Sequence, residues 1–412
     1  MLALNNLRLV HHSEQYHGNK VSGPYFEGWY YKQTHSKGSL IFIVGIFLPY
    51  ANQESELKSV TVPHAFIMAF RNPQTTQCLY YTYPPEELEY ENKKEFGYRI
   101  KVRNSEFTES GFKVDLDPKD LKFPTTHEET LFLEKVVSER KILFPDLNID
   151  QVKYERVHYA VKGECTFENS VRFPTSSLVP SVMGPFGYLP LLECYHGIVS
   201  LHHTLNGKVD FIHDGETDGV VLDGEGYIEK DHGFNFPKSW IWVHTNCFKQ
   251  SKGSCLLVSV ANVPMLSDCG IASKLVSMLP YGDKIVSKFS FSGFLIILYD
   301  SKTKQTFNLS LYKFGKIKKL EFTFTDKQIM ELQVVQGELE LFVTTERILG
   351  TGVPLPGPAA DRSGMVPLVE ESIDVKVKVR LMKGDNVLFE DEGSEGGMEV
   401  VGRIDLLQQK TK

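Results

Sequence analysis

Two stretches decide how this chain is read. One runs Trp29-Tyr30-Tyr31, then Ser36-Lys37-Gly38-Ser39 and Leu40-Ile41-Phe42-Ile43, ending at Pro49. The other runs Trp240-Ile241-Trp242, then Ser251-Lys252-Gly253-Ser254 and Cys255-Leu256-Leu257-Val258, ending at Pro264. In both, an aromatic strand leads through the same turn tetrapeptide into an apolar run. Two unrelated hairpins that share a turn composition would produce this echo. Its recurrence at about half the chain length favours a second explanation, two copies of one β-barrel, the second beginning near Gly226.

Working outward, most of the chain reads as strands. Short runs rich in Val, Ile, Phe and Tyr alternate with Gly, Pro, Asn and Asp clusters, as in Tyr25 to Lys32, Ala65 to Phe70, Gly197 to Thr204, Ser254 to Val260 and Ile373 to Leu381. Helical patterns are few, the best being Glu128 to Lys141 and Cys269 to Leu279. The expected fold is all-β, two tandem antiparallel barrels with a few short helices, occupying residues 1–222 and 223–412. Phe173 to Pro190 and Arg347 to Pro367 read as long Pro/Gly-rich connections, of the kind that form lids or binding elements.

Composition narrows the function classes. The 412 residues carry a formal charge of −7, with 42% hydrophobic and 12% aromatic side chains, which excludes a mostly disordered chain. Mild acidity gives no general pull toward nucleic acid or anionic lipid, although a local basic patch stays open. No apolar run reaches the roughly 18 residues of a membrane helix. The N-terminal stretch lacks a signal-peptide core and the Arg/Ser bias of a transit peptide, so an intracellular protein, soluble or peripherally membrane-associated, is expected, and a plastid location is not. Six scattered cysteines without a CxxC pair read as reduced thiols.

Three segments could carry chemistry. Tyr25, Glu27, Trp29 and Tyr31 share one face of a strand, where loss of solvation would raise the carboxyl pKa and keep a proton available near neutrality. A Glu bonded to backbone or to Lys32 is the structural alternative. Glu193 and Tyr195 share a face, with His196 pointing the other way; they read as an acid with its hydrogen-bonding partner or as a pair closing a barrel. Tyr227, Glu229 and Asp231 fall on one face. Trp240, Trp242, His244 and Asn246 fall on one face of the following strand, and the two strands read as a hairpin with a long connection. If those faces coincide, carboxylates meet indoles and an imidazole, and paired carboxylates drive their pKa values apart. A solvated charge run is the alternative. Asp214, Glu216, Asp218, Gly219 and Glu225 match calcium-loop spacing, but their strand-like flanks favour an acidic turn. Phosphate-loop, dinucleotide, GxSxG and HExxH motifs are missing, and His202-His203 on a strand face opposite ways, so no metal site is expected.

At these residues the chain resembles the tocopherol cyclase family. The resemblance rests on Pro24 to Lys32 (PYFEGWYYK), Met183 to Leu205 (MGPFGYLPLLECYHGIVSLHHTL) and Gly226 to Phe248 (GYIEKDHGFNFPKSWIWVHTNCF), and more weakly on Ala360 to Val369 and Leu388 to Gly402. It implies cyclisation of a prenylated hydroquinone to a chromanol, by protonation of a tail alkene and trapping of the cation by the phenol oxygen. It also implies two lipocalin-like barrels with the site at their junction, and an apolar barrel mouth holding the tail. Alkene protonation needs a carboxylic acid in a dry pocket, and aromatic faces can stabilise the cation. The acid candidates are Glu229 and Asp231, then Glu193 and Glu27. His196 or His244 would receive the phenol proton. Trp29, Trp240 and Trp242 would form walls, with Tyr31, Tyr195, Tyr227 and Asn246 as further substrate contacts. The redox-neutral reaction needs no cofactor. The partner is then a hydrophobic isoprenoid, and its poor solubility predicts peripheral membrane contact. Rival readings are an isoprenoid hydratase or isomerase and a non-catalytic lipocalin-like carrier.

Overall fold

Strands β1 (Tyr25–His35) and β2 (Gly38–Leu48) are buried along nearly their whole length, on both faces. That is why their sequences are almost continuously apolar rather than alternating. Odd positions of β1, Trp29 and Tyr31 among them, point into the interior of one barrel, whereas Tyr30 points out toward a second barrel. This two-sided burial follows from the architecture of the computed structural model. It describes residues 8–408 apart from 20, 22, 50–61, 73–76, 125, 132–133, 135–155, 190–191, 265–289, 325–326, 349–351 and 360–363.

Among the described residues, the first sheet has 13 strands. After β1 and β2 come β3 (His64–Asn72), β4 (Leu79–Tyr83), β5 (Leu88–Asn92), β6 (Tyr98–Val102), β7 (Ser105–Thr108), β8 (Gly111–Leu116) and β9 (Leu121–Lys122). Then follow β10 (Ala160–Val171), β11 (Cys194–His213), β12 (Glu216–Leu222) and β13 (Glu225–Gly233). The second sheet has 11 among the described residues. It comprises β14 (Ser239–Thr245), β15 (Cys247–Phe248), β16 (Cys255–Pro264), β17 (Ser290–Asp300), β18 (Gln305–Ser310), β19 (Lys316–Phe324) and β20 (Lys327–Gln336). It ends with β21 (Leu339–Ile348), β22 (Val353–Pro358), β23 (Met365–Lys383) and β24 (Asn386–Val401).

The two sheets repeat one connectivity. The first runs β10-β11-β13-β1-β2-β3-β4, and the second β21-β23-β24-β14-β16-β17-β18, so in each the last long strand returns to pair with the first. All pairings are antiparallel. Each sheet curls around its own core, one rich in Phe and Tyr, the other in Leu and Val. The literal echo is nevertheless one residue out of phase: Leu40 faces the first barrel's interior, but Cys255 faces the other barrel. Strand order, more than the shared tetrapeptide, is what the two sheets have in common.

Three expectations are corrected. β13 pairs with β1 and β11, so the chain crosses between sheets at residues 234–238 rather than at 222/223. The expected hairpin of Gly226–Gly233 with Ser239–Thr245 does not form; β14 pairs with β16 and β24, and the two segments meet face to face across the barrels. The stretch from Arg347 to Pro367 is not all loop, because β22 pairs with β23, its one partner strand among the described residues. Its three prolines fit there, since a strand with one partner leaves N–H positions that no ladder bond requires. Residues 126–131 are helical, but the rest of the expected helix to Lys141, and Cys269 to Leu279, lie outside the described residues. The acidic calcium-like stretch is a β-hairpin turning at Asp214-Gly215, both with positive φ.

Candidate active site

The outer faces of the two sheets pack through a third apolar cluster, and within it lies a cavity of about 220 Å³. Its walls come from both barrels: Phe26, Ile43 and Phe66 from the first, Phe294, Leu355 and Val369 from the second. Met183 and Phe186, on the connection before β11, complete it. The barrel interiors are filled with side chains, so the apolar space expected at a barrel mouth sits instead between the barrels.

Strand register brings the polar groups together. On the first sheet Tyr30 pairs with Glu229, and Asp231 stands between Gly28 and His196. On the second, Trp242 pairs with Glu399, which pairs with Glu371. Packing one row on the other places Glu229 at the centre. Its Oε2 accepts from the Tyr227 hydroxyl at 2.6 Å and from the Trp242 Nε1–H at 3.1 Å. His196 Nε2 lies 3.7 Å from the same oxygen, while its Nδ1 is 2.8 Å from Asp231 Oδ1. Trp240 Nε1–H donates to Glu399 Oε2 at 2.6 Å, and the Tyr30 hydroxyl donates to Glu371. Gly397 makes room for this row: a Cβ there would sit 2.5 Å from the Trp242 ring.

Burial governs the protonation states. It pushes the Glu229 carboxyl up to about 7, against the opposing charge of His196 and the two hydrogen bonds, with Asp231 adding to the rise. Glu399 is raised to about 8 by burial, despite Trp240, with Glu229 and Asp231 adding repulsion. Glu371, also raised by burial and then by Glu399, lies well above the usual carboxyl range. Burial opposes charge on His196 as well, but Asp231 and Glu229 outweigh it and hold the imidazole up to about 9. Near neutrality the cavity therefore presents Glu399 protonated and Glu229 near its midpoint, beside the His196 imidazolium.

The structure separates the residues singled out from sequence. Glu229, Asp231, His196, Trp240 and Trp242 line the cavity. Tyr227 stands behind Glu229, with His244 stacked on its ring at 3.8 Å, and His244 is held neutral by burial and by nearby Lys32. Glu27, Trp29 and Tyr31 lie on the first barrel's inner side, away from the cavity. The raised carboxyl expected for Glu27 is corrected: burial would raise it, but Lys230 at 2.5 Å and the His17 imidazole at 3.5 Å hold it down to about 2. Trp29 donates its N–H to the Glu14 carbonyl, and Tyr31 bonds Tyr98. Glu193 and Tyr195 are not cavity residues; the Tyr195 hydroxyl donates to the Leu189 carbonyl and its ring stacks on His232. Asn246 is fully buried away from the cavity, without a side-chain hydrogen bond among the described residues.

Tyr30, Glu371 and Glu399 escaped the sequence reading. Tyr30 lies on the face of β1 opposite the aromatic row, and the two glutamates belong to strands whose partner is another barrel. Glu399 did carry a signal, a single carboxylate set between Met398 and Val400.

Two groups of side chains among the described residues could converge on an ion, with ligand atoms within 4.8 Å: His17, Glu27 and His232, and His196, Glu229 and Asp231. In the first, the Lys230 ammonium already occupies Glu27. In the second, a hydroxyl and an indole N–H both aim at the Glu229 oxygen, a donor set that suits a carboxyl group exchanging a proton better than a cation.

Comparison with known proteins follows this geometry. A family model described as Tocopherol cyclase-like matches residues 23–268. Among curated proteins nothing matches the chain. Three solved structures are similar in chain course. An AttH-type protein of Nitrosomonas europaea is 11% identical, with 95% of each chain covered and a TM-score of 0.42. CghA in complex with Sch210972 is 10% identical, covering 92% of this chain and 89% of its own, at 0.45. Kievitone hydratase of Nectria haematococca is 10% identical, covering 94% and 93%, at 0.39.

Proposed function

The chain belongs to the tocopherol cyclase-like family, and on that premise we propose that it cyclises a prenylated hydroquinone to a chromanol, with Glu229 as the acid. One observation carries this reading: a carboxyl group raised to about 7 by burial, facing an apolar cavity, with two hydrogen-bond donors on one oxygen. A general acid for an alkene must hold its proton at rest, which burial supports. It must also tolerate losing it. The Tyr227 hydroxyl, the Trp242 N–H and the His196 imidazolium are oriented to stabilise the carboxylate that forms.

In this mechanism the Glu229 proton adds to the less substituted alkene carbon, consuming the π bond and leaving a tertiary cation. The faces of Trp242, Trp240 and Tyr30, which line the same cavity, stabilise that charge. The phenol oxygen then forms the new C–O bond, and its proton returns to the Glu229 carboxylate. No atom is gained or lost. His196, already charged near neutrality, serves as the positive partner rather than as the proton acceptor, and Asp231 orients it. The apolar walls keep water from trapping the cation.

The test is incubation of the purified protein with reduced prenylated hydroquinones of varied tail length. A chromanol of unchanged mass that disappears in Glu229→Gln supports the reading. A product heavier by one water makes the protein a hydratase. Binding without turnover across the panel overturns catalysis in favour of a carrier.

A further inference from the structure

We propose that the turn after β18 docks this protein on an anionic lipid bilayer, with Phe314 inserted into the interface and the adjacent lysines against the headgroups. Phe314 is 89% exposed and sits at φ 62°. The left-handed region is rarely occupied by bulky side chains, so the chain holds a phenyl ring out in water in an unfavourable backbone state, with no packing to offset either cost.

The surrounding sequence is Lys313-Phe314-Gly315-Lys316-Ile317-Lys318. Lys313, Lys316 and Lys318 are exposed and have no ion-pair partner among the described residues, whereas neighbouring Lys319 is held by Glu321 and Glu331. An aromatic tip ringed by free ammonium groups is complementary to an anionic membrane surface, where each lysine contributes independently. The net charge of −7 supplies no such attraction, so the patch is a local feature.

Its position links it to the cavity. Leu311 and Tyr312, immediately before the tip, line the cavity wall. Tyr312 donates its hydroxyl to the Val182 carbonyl at 3.1 Å and packs near Phe186, so the turn is braced on the connection that supplies Met183 and Phe186 to the cavity wall. That connection exposes two further apolar side chains, Leu178 at 77% and Leu189 at 37%. A bilayer seated here would lie beside segments that line an apolar cavity.

The experiment is flotation of the full chain, without substrate, on vesicles of phosphatidylcholine alone and with phosphatidylglycerol added. Binding is expected only to the anionic vesicles and should weaken with salt. Lys313→Gln with Lys316→Gln should lower the partition coefficient about thirtyfold, about fivefold for each charge removed. Phe314→Ser should lower it several-fold while the salt dependence persists. Circular dichroism of these surface variants checks that the fold is kept. No flotation of the native chain, equal binding to neutral vesicles, or variants that bind as tightly as the native chain would each overturn the proposal. It does not depend on the cyclase reading: turnover of detergent-dispersed quinol should be unchanged in the same variants, and a chain that never turns over can still float.

Discussion

Replacing Tyr227 by Phe removes one oxygen atom and tests the acid directly. The Tyr227 hydroxyl donates to Glu229 Oε2 at 2.6 Å, and the ring, stacked 3.8 Å from His244, keeps its place in the variant. A hydrogen bond to a charged group contributes about 1.5–3 kcal/mol. At 1.36 kcal/mol per pKa unit, and with part of that bond also available to the neutral acid, the Glu229 pKa should rise by about one unit. Since the acid is active in its protonated form, kcat should fall with rising pH along a limb centred near 7 in the native protein. In Tyr227→Phe that limb should move to about 8, so that at pH 8 the protonated share grows from about one tenth to about half. The low-pH plateau should drop a few-fold, because a weaker acid donates less readily. Steady-state kinetics across pH gives both quantities, and the infrared band of the protonated carboxyl follows the same titration without turnover. A limb that stays near 7 while the plateau falls would refute Glu229 as the acid.

Other outcomes can be checked alongside. Gly397→Ala should push the Trp242 indole away from Glu229, since the added methyl would sit 2.5 Å from its ring; turnover should fall and the kinetic limb should rise, and native-like values for both would show that the indole position is unimportant. Glu27→Gln leaves the fully buried Lys230 without its counter-charge and should cost about 3–5 kcal/mol of stability by denaturant unfolding, with Glu27→Met plus Lys230→Met recovering most of it. A loss below about 1 kcal/mol would show that Lys230 finds another partner or simply neutralises. Glu399 has a folded value of about 8, above that of an unfolded carboxyl, so its stabilising contribution is complete below the unfolded value and is lost as pH rises through 8. The native Tm should therefore fall between about pH 5 and 8 more steeply than that of Glu399→Gln, and parallel curves would contradict the raised value.

Sequence by itself determined the strand-rich fold, because period-two patterns and turn residues are local properties. It also determined which residues share a face: Tyr227 with Glu229 and Asp231, and Trp240 with Trp242 and His244. Side-chain direction along a strand depends only on backbone geometry. What lies opposite each face was a tertiary decision. The row Trp29-Tyr31 looks as suitable for a cation as Trp240-Trp242, yet the first fills a barrel interior while the second meets Glu229 across the junction and Glu399 on the neighbouring strand. Likewise Glu27 and Glu229 are both buried carboxyls on aromatic strands. One is held at about 2 by a lysine on β13, the strand paired with its own, and the other is raised to about 7 because burial, with Asp231 adding, outweighs His196 and its two hydrogen bonds. A pKa is set by the charges and solvent around a group, and those arrive from strands up to hundreds of positions away, as Glu371 arrives at Tyr30. Hence the reacting residue types were legible in the chain, whereas their charge states and the location of the cavity existed only once the two barrels had packed.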